Sequence, residues 1–158
     1  MRIPKGVLLC AGLLFLTSLS AVQAEAQGGL WLELNLQKIY CVDESGPDWW
    51  GSDEIYIKVN NQTVYSAGNF DSGDTFQINK GPFWQFVPEE AIEDTKMYIQ
   101  VWEDDPGPDD LSIHTYLTWH VPTGTYTTFG HLDGGVYRLT YAVQRWSCPI
   151  VGACMRVP

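Results

Sequence analysis

The sequence predicts an all-β chain folded as an antiparallel β-sandwich of about eight strands. Two observations carry this. Short segments with an apolar residue at every second position recur along the chain, and turn-forming residues separate them at regular intervals. A third supports it: no apolar pattern of helical period lasts longer than one turn.

Taken in order, Leu30, Leu32, Leu34 and Leu36 share one face of a first strand that extends through Lys38 to Cys41. Val42 to Asp53 is rich in turn residues. Ile55, Ile57 and Val59 mark a second strand, and the Asn60-Asn61-Gln62 turn leads to a short returning strand over Thr63 to Ser66. Asn61-Gln62-Thr63 is also a glycosylation sequon for a eukaryotic source. An acidic turn from Asn69 to Asp74 precedes a strand marked by Phe76 and Ile78. Gly81 to Pro88 reads as an aromatic loop, and Glu89 to Thr95 as a helical turn or irregular chain. Met97, Ile99 and Val101 alternate with polar or aromatic neighbours in the next strand. Trp102 to Leu111, with two prolines and a glycine at its centre, reads as a tight loop. Leu111 to Val121 reads as one long strand with His114 and His120 on its polar face, about 20 Å apart and too far to share a metal. Thr125 to Phe129 is a weaker strand, and Val136 to Trp146 closes the set after an Asp133-Gly134-Gly135 turn.

The first 24 residues have the form of a secretory signal peptide: Arg2 and Lys5, an apolar run from Val7 to Val22, and small residues around Val22-Gln23-Ala24. Residues 25–146 then form one domain, and 147–158 a cysteine-containing tail. The expected address is extracellular, or periplasmic in a Gram-negative source. No later apolar run is long enough to cross a bilayer. Net charge is −10 for the whole chain and more negative by two without Arg2 and Lys5. That balance argues against nucleic-acid binding and favours a cationic partner. In an oxidising compartment at least one disulfide is expected among Cys41, Cys148 and Cys154, with all three pairings open.

The chemistry lies in the carboxylates between strands. Trp102 to Leu111 holds Glu103, Asp104, Asp105, Asp109 and Asp110, with no basic residue between Lys96 and Arg138. The first connection carries Asp43, Glu44, Asp48 and Asp53, and the third Asp71 and Asp74. Alternate connections of an antiparallel sandwich lie at one end, so these segments are expected to converge. Clustered carboxylates favour a hard cation, and Ca²⁺ takes six to eight oxygen ligands.

The run S-D-E-I-Y-I-K-V (Ser52 to Val59) resembles the stretch after the first calcium loop of C2 domains, and I-Q-V-W-E-D-D-P-G-P-D-D-L (Ile99 to Leu111) resembles their third loop. C-x-D-E, W-x-G-S-D-E, D-S-G-D and G-G-x-Y-x-L-T-Y resemble a group of small secreted microbial proteins of unassigned function. The C2 resemblance implies a C2-like sandwich with Ca²⁺ held by Asp48 and Asp53, with Asp43 competing for the first place, and by Glu103, Asp105 and Asp110. The chain departs from the pattern: its loop is one residue shorter, Glu103 stands for Asp, Glu54 for proline, and no glycine follows Leu111. A basic strand patch for phosphoinositides is not evident.

The implied function is a secreted, non-enzymatic calcium-binding module, its loops ordered by Ca²⁺ to meet a glycan, lipid headgroup or protein ligand. Trp49 and Trp50, flanked by Pro47, Asp48 and Gly51, are the loop aromatics hardest to bury together and the candidate ligand contacts. Two alternatives fit the same features: a carbohydrate-binding module working through loop tryptophans, and a secreted acidic toxin or inhibitor that binds a basic protein surface. No serine nucleophile elbow or phosphate-binding glycine loop is present.

Overall fold

The computed structural model describes residues 29–43, 53–104, 110–132, 135–149 and 153–158. Nine strands are described: β1 Gly29–Asp43, β2 Asp53–Val59, β3 Gln62–Phe70, β4 Thr75–Val87, β5 Met97–Glu103, β6 Asp110–Leu117, β7 Gly124–Leu132, β8 Gly135–Cys148 and β9 Met155–Val157. They form two antiparallel sheets. Sheet A has the order β4-β1-β8-β7 with β9 added to β8, and sheet B the order β3-β2-β5-β6.

The period-two pattern explains the packing. Leu32, Leu34 and Leu36 of β1, Ile55, Ile57 and Val59 of β2, and Met97, Ile99 and Val101 of β5 are all buried. They meet Tyr137, Leu139 and Val143 of β8 in one core between the sheets. Full burial of each aliphatic side chain stabilises the fold by about 1.5–3 kcal/mol before entropy is counted. The Asn60-Asn61 turn holds both residues at positive φ, 48° and 65°. That is the two-residue hairpin geometry that asparagine tolerates and that matches the strand twist. At the sandwich edge β7 comes so near β6 that a Cβ on Gly130 would overlap the Ile113 side chain and the Ser112 carbonyl.

The structure departs from the sequence reading in several places. Gly81 to Pro88 is no loop: β4 runs unbroken through it to Val87. A shift in the β1–β4 register between Leu34 and Leu36 absorbs Gly81 and Pro82. Proline lacks an N–H, and a bulge on an edge strand is where a sheet tolerates it. Gly81 sits at φ 131°, where a Cβ would fall 2.8 Å from the Leu34 carbonyl and from Asn35 Oδ1. β3 is longer than expected and reaches Phe70. β6 is shorter and ends at Leu117. The Val121 N–H donates to the Thr118 carbonyl at 3.1 Å, and Pro122 follows, so the chain turns there. Trp119 and Val121 still pack on the core from that turn. His120 leaves the strand row and meets Glu93 at 2.9 Å.

Cys148 is bonded to Cys154, and Cys41 is buried in β1 outside that bridge. The bridge returns the chain so that β9 pairs with β8, Trp146 opposite Arg156. Thr123 Oγ1 donates to the Val157 carbonyl at 2.7 Å and ties this last strand to the β6–β7 turn. Among the described residues no helix is long and apolar enough to cross a membrane.

Candidate functional site

The strand register brings the strand ends that flank the acidic segments to one end of the sandwich. In sheet A, Asp43 at the end of β1 lies opposite Val136 at the start of β8, and Tyr40 opposite Thr75 at the start of β4. In sheet B, Asp53 at the start of β2 lies opposite Phe70 at the end of β3. Glu103 at the end of β5 lies opposite both Ile55 and Asp110. The connections that leave β1, β3 and β5 therefore share this end, as the alternation of an antiparallel sandwich requires.

Backbone bonds tie the end together. The Gly73 N–H donates to the Cys41 carbonyl at 2.9 Å, and the Cys41 N–H to the Asp74 carbonyl at 3.0 Å, so the β3–β4 turn is laced to β1. The Asp104 N–H donates to the Glu54 carbonyl at 2.7 Å and carries the β2–β5 pairing one residue beyond the strand. Asp74 Oδ2 accepts from the Asp71 N–H at 3.2 Å and closes its own turn. Beneath lies an aromatic floor: Phe70, fully buried, meets Phe76 edge-on at 4.9 Å and stacks on Tyr137 at 5.9 Å.

Glu103 is the distinctive group here. It continues the inward row Met97, Ile99, Val101 and is 1 % exposed, a carboxylate at the rim of the core. Asp110 stands directly across the ladder.

Of the other expected ligands, Asp43 is exposed at the end of β1 in the opposite sheet, and Asp53 heads β2 beside Glu54. Asp48, Asp105, Trp49 and Trp50 lie outside the described residues. Among the described residues no group of three or more His, Cys, Asp or Glu side chains is placed to hold a metal ion. Glu103 and Asp110 remain the directly opposed carboxylate positions at this end. Hard oxygen donors of this kind fit Ca²⁺, which draws further ligands from loops, backbone carbonyls and water.

The β2–β5 register also locates Trp102. It lies within β5 and stands on the outer face of sheet B, opposite Tyr56 and stacked on it at 6.2 Å with 5° between the planes. Lys58 Nζ lies 4.9 Å from both ring centroids. Trp102 Nε1 is buried without a hydrogen-bond partner. Nearby, Tyr98 approaches His114 and Tyr116, and Lys96 Nζ covers Tyr116 at 4.7 Å.

Sequence reasoning passed over Glu33 and read Trp84 as one of the loop aromatics, able to stack on a sugar or cap the core. Glu33 has the parity opposite to the leucines of β1, which places it on the outer face of sheet A, and parity was the signal available. Trp84 was concealed by the Gly81-Pro82 bulge, which makes strand look like loop.

The sequence matches no family model and no curated protein. Among solved structures the chain is similar to a C2 domain of plant extended synaptotagmin 1. The TM-score is 0.47 at 10% identity, over 74% of this chain and 94% of that one. It is similar also to the paired C2 domains of extended synaptotagmin 2. There the TM-score is 0.48 at 12% identity, over 93% of this chain and 48% of that one. A structure described as a C2 domain gives a TM-score of 0.39 at 15% identity, over 72% of this chain and 97% of that one. The all-β sandwich itself stands on the chain's own strand pairing. The likeness to small secreted microbial proteins is one of sequence motifs alone.

Proposed function

We propose that this protein is an exported binding module whose acidic end takes up Ca²⁺. The observation that carries the reading is the position of the core-rim carboxylate Glu103 opposite Asp110, at the end from which the acidic connections leave the strands. Glu103 and Asp110 would hold the ion, with Asp53, Asp48 and Asp105 as further ligands and Asp43 as the contribution of sheet A. A bound cation neutralises opposed carboxylates and orders the segments that join the strands; coordination positions not filled by protein are open to a ligand oxygen. No reaction is assigned to the site. Export rests on the N-terminal signal pattern and on the Cys148–Cys154 bridge, which suits an oxidising compartment.

Thermal melting against a calcium titration tests this. An ion that binds only the folded chain adds about 2.7 kcal/mol of stability at a hundredfold excess over its Kd. The melting temperature should rise by several degrees, and Glu103→Gln combined with Asp110→Asn should remove that rise. No shift at millimolar Ca²⁺, or a shift that the double variant retains, would falsify the reading.

A further inference from the structure

The outer face of sheet A carries a second arrangement, built from strands rather than connections. In one row Phe86 of β4, Trp31 of β1, Trp146 of β8 and Arg156 of β9 stand side by side. In the next row Trp84 of β4, Glu33 of β1 and Gln144 of β8 do the same. Asn35 follows on β1. Trp84 and Trp146 approach diagonally, centroids 6.1 Å apart and planes at 55°, and form a corner of two indoles beside Glu33. Trp84 is 48 % exposed, and Glu33 beside it only 9 %.

Glu33 is held firmly. Trp146 Nε1 donates to its Oε2 at 2.6 Å and Asn35 Nδ2 to its Oε1 at 2.8 Å. Each carboxylate oxygen has two acceptor positions, so one on each oxygen is left for another donor. Gln144 Oε1, next in the row, is a buried acceptor with no partner. An outward-facing sheet position needs no carboxylate for stability, and lodging one among indoles costs desolvation. Local costs of this kind mark functional sites.

We propose that this face binds a neutral saccharide chain. Trp84 presents an open ring on which the C–H face of a pyranose stacks, while the sugar's hydroxyls donate to Glu33 and to Gln144 once its amide rotates. Rows on one strand face repeat every two residues, about 7 Å, so one or two adjoining sugar units touch both indole and carboxylate. Charge selects the class. Glu33 is the anion at the centre, Arg156 lies over the Trp146 ring at 5.3 Å, and the whole chain carries −10. A polyanion meets repulsion from the chain and a second copy would set Glu33 against Glu33 in a dry interface; neutral hydroxyls meet acceptors. The positions are fixed by the β1 ladder, so little ordering is needed on binding. Ten residues of β1 separate Glu33 from Asp43, about 33 Å of strand, so the face is independent of the acidic end.

The test is affinity electrophoresis of the full chain through gels containing mixed-linkage β-glucan, xylan, mannan or starch, each run with Ca²⁺ and with EDTA. At least one neutral polysaccharide should retard the protein equally with and without chelator. Trp84→Ala should weaken that retardation at least about tenfold, as loss of a central aromatic contact does, while the melting temperature is nearly unchanged. Trp84→Phe should restore part of the binding. Absence of retardation by all four, or retardation that Trp84→Ala leaves intact, overturns the proposal. So does a concentration-dependent dimer, seen by sedimentation, that Trp84→Ala abolishes. Loss of the calcium-induced melting shift with retardation retained would count against the acidic end alone.

Discussion

The two outer faces of the sandwich use the same aromatic side chains to opposite ends. On sheet B the rings are covered by the protein's own cations: Lys58 sits over Tyr56 and Trp102, and Lys96 over Tyr116. On sheet A Arg156 lies over the Trp146 ring, which also donates to Glu33, while Trp84 keeps half its surface in solvent. A ring whose face is filled by a neighbouring ammonium contributes to stability in place; a ring left open beside unused acceptors is available to a ligand. Cations lie over rings on both sheets; what sets sheet A apart is the half-open indole of Trp84 opposite a buried carboxylate.

The largest effect should follow from removing what both faces stand on. Leu34 is fully buried on the core side of β1, between Glu33 and Asn35 in sequence. Leu34→Ala should cost about 2–5 kcal/mol, measured by chemical denaturation, and weaken both faces together. A smaller pair of changes separates them. Trp102→Ala removes a part-buried stacked ring with its lysine contact and should cost about 2–3 kcal/mol, whereas Trp84→Ala should stay within about 1 kcal/mol. Trp102→Phe is the sharper version. It removes the buried Nε1 donor that has no partner, and relief of that penalty offsets the lost area, so the change should be near neutral. A steep cost for Trp84→Ala, matching that of Trp102→Ala, would erase the distinction between the faces.

The smallest effect is a pH response at Tyr141 of β8. Burial, and then the neighbouring Tyr126, raise the Tyr141 phenol above its ordinary value of 10.0. The folded state therefore holds its proton where the unfolded chain has released it. Stability from this group is intact below pH 10 and is lost as pH rises through the folded value. Tyr141→Phe should flatten the alkaline limb of the stability curve; an unchanged slope above pH 10 would show that other groups govern it.

Much of the fold was legible because period two is a local property. Leu30 to Leu36, Ile55 to Val59 and Met97 to Val101 announced their strands and their buried faces, and Asn60-Asn61 announced its hairpin. The acidic end was legible in outline too, since alternation of antiparallel strands obliges alternate connections to share an end. The boundaries of β4 and β6 were less visible. Gly81-Pro82 signals a break, yet an edge-strand bulge lets the ladder continue. Leu111 to Val121 alternates throughout, yet a turn ends the strand at Leu117 while Trp119 and Val121 still reach the core.

The sequence by itself determined the all-β class, the core rows and the carboxylate-rich connections, because side-chain alternation and turn chemistry act within a few residues. Only the tertiary structure decided which strands are neighbours, because hydrogen-bonded register is a long-range choice that parity does not specify. Trp146 bonds Glu33 across 113 residues of chain. Trp84 comes to stand opposite Glu33 from β4 through the β1–β4 register, which continues past the bulge at Gly81. Glu103 stands opposite Asp110 for the same kind of reason: a ladder, closed by the core beneath it, pairs the two positions.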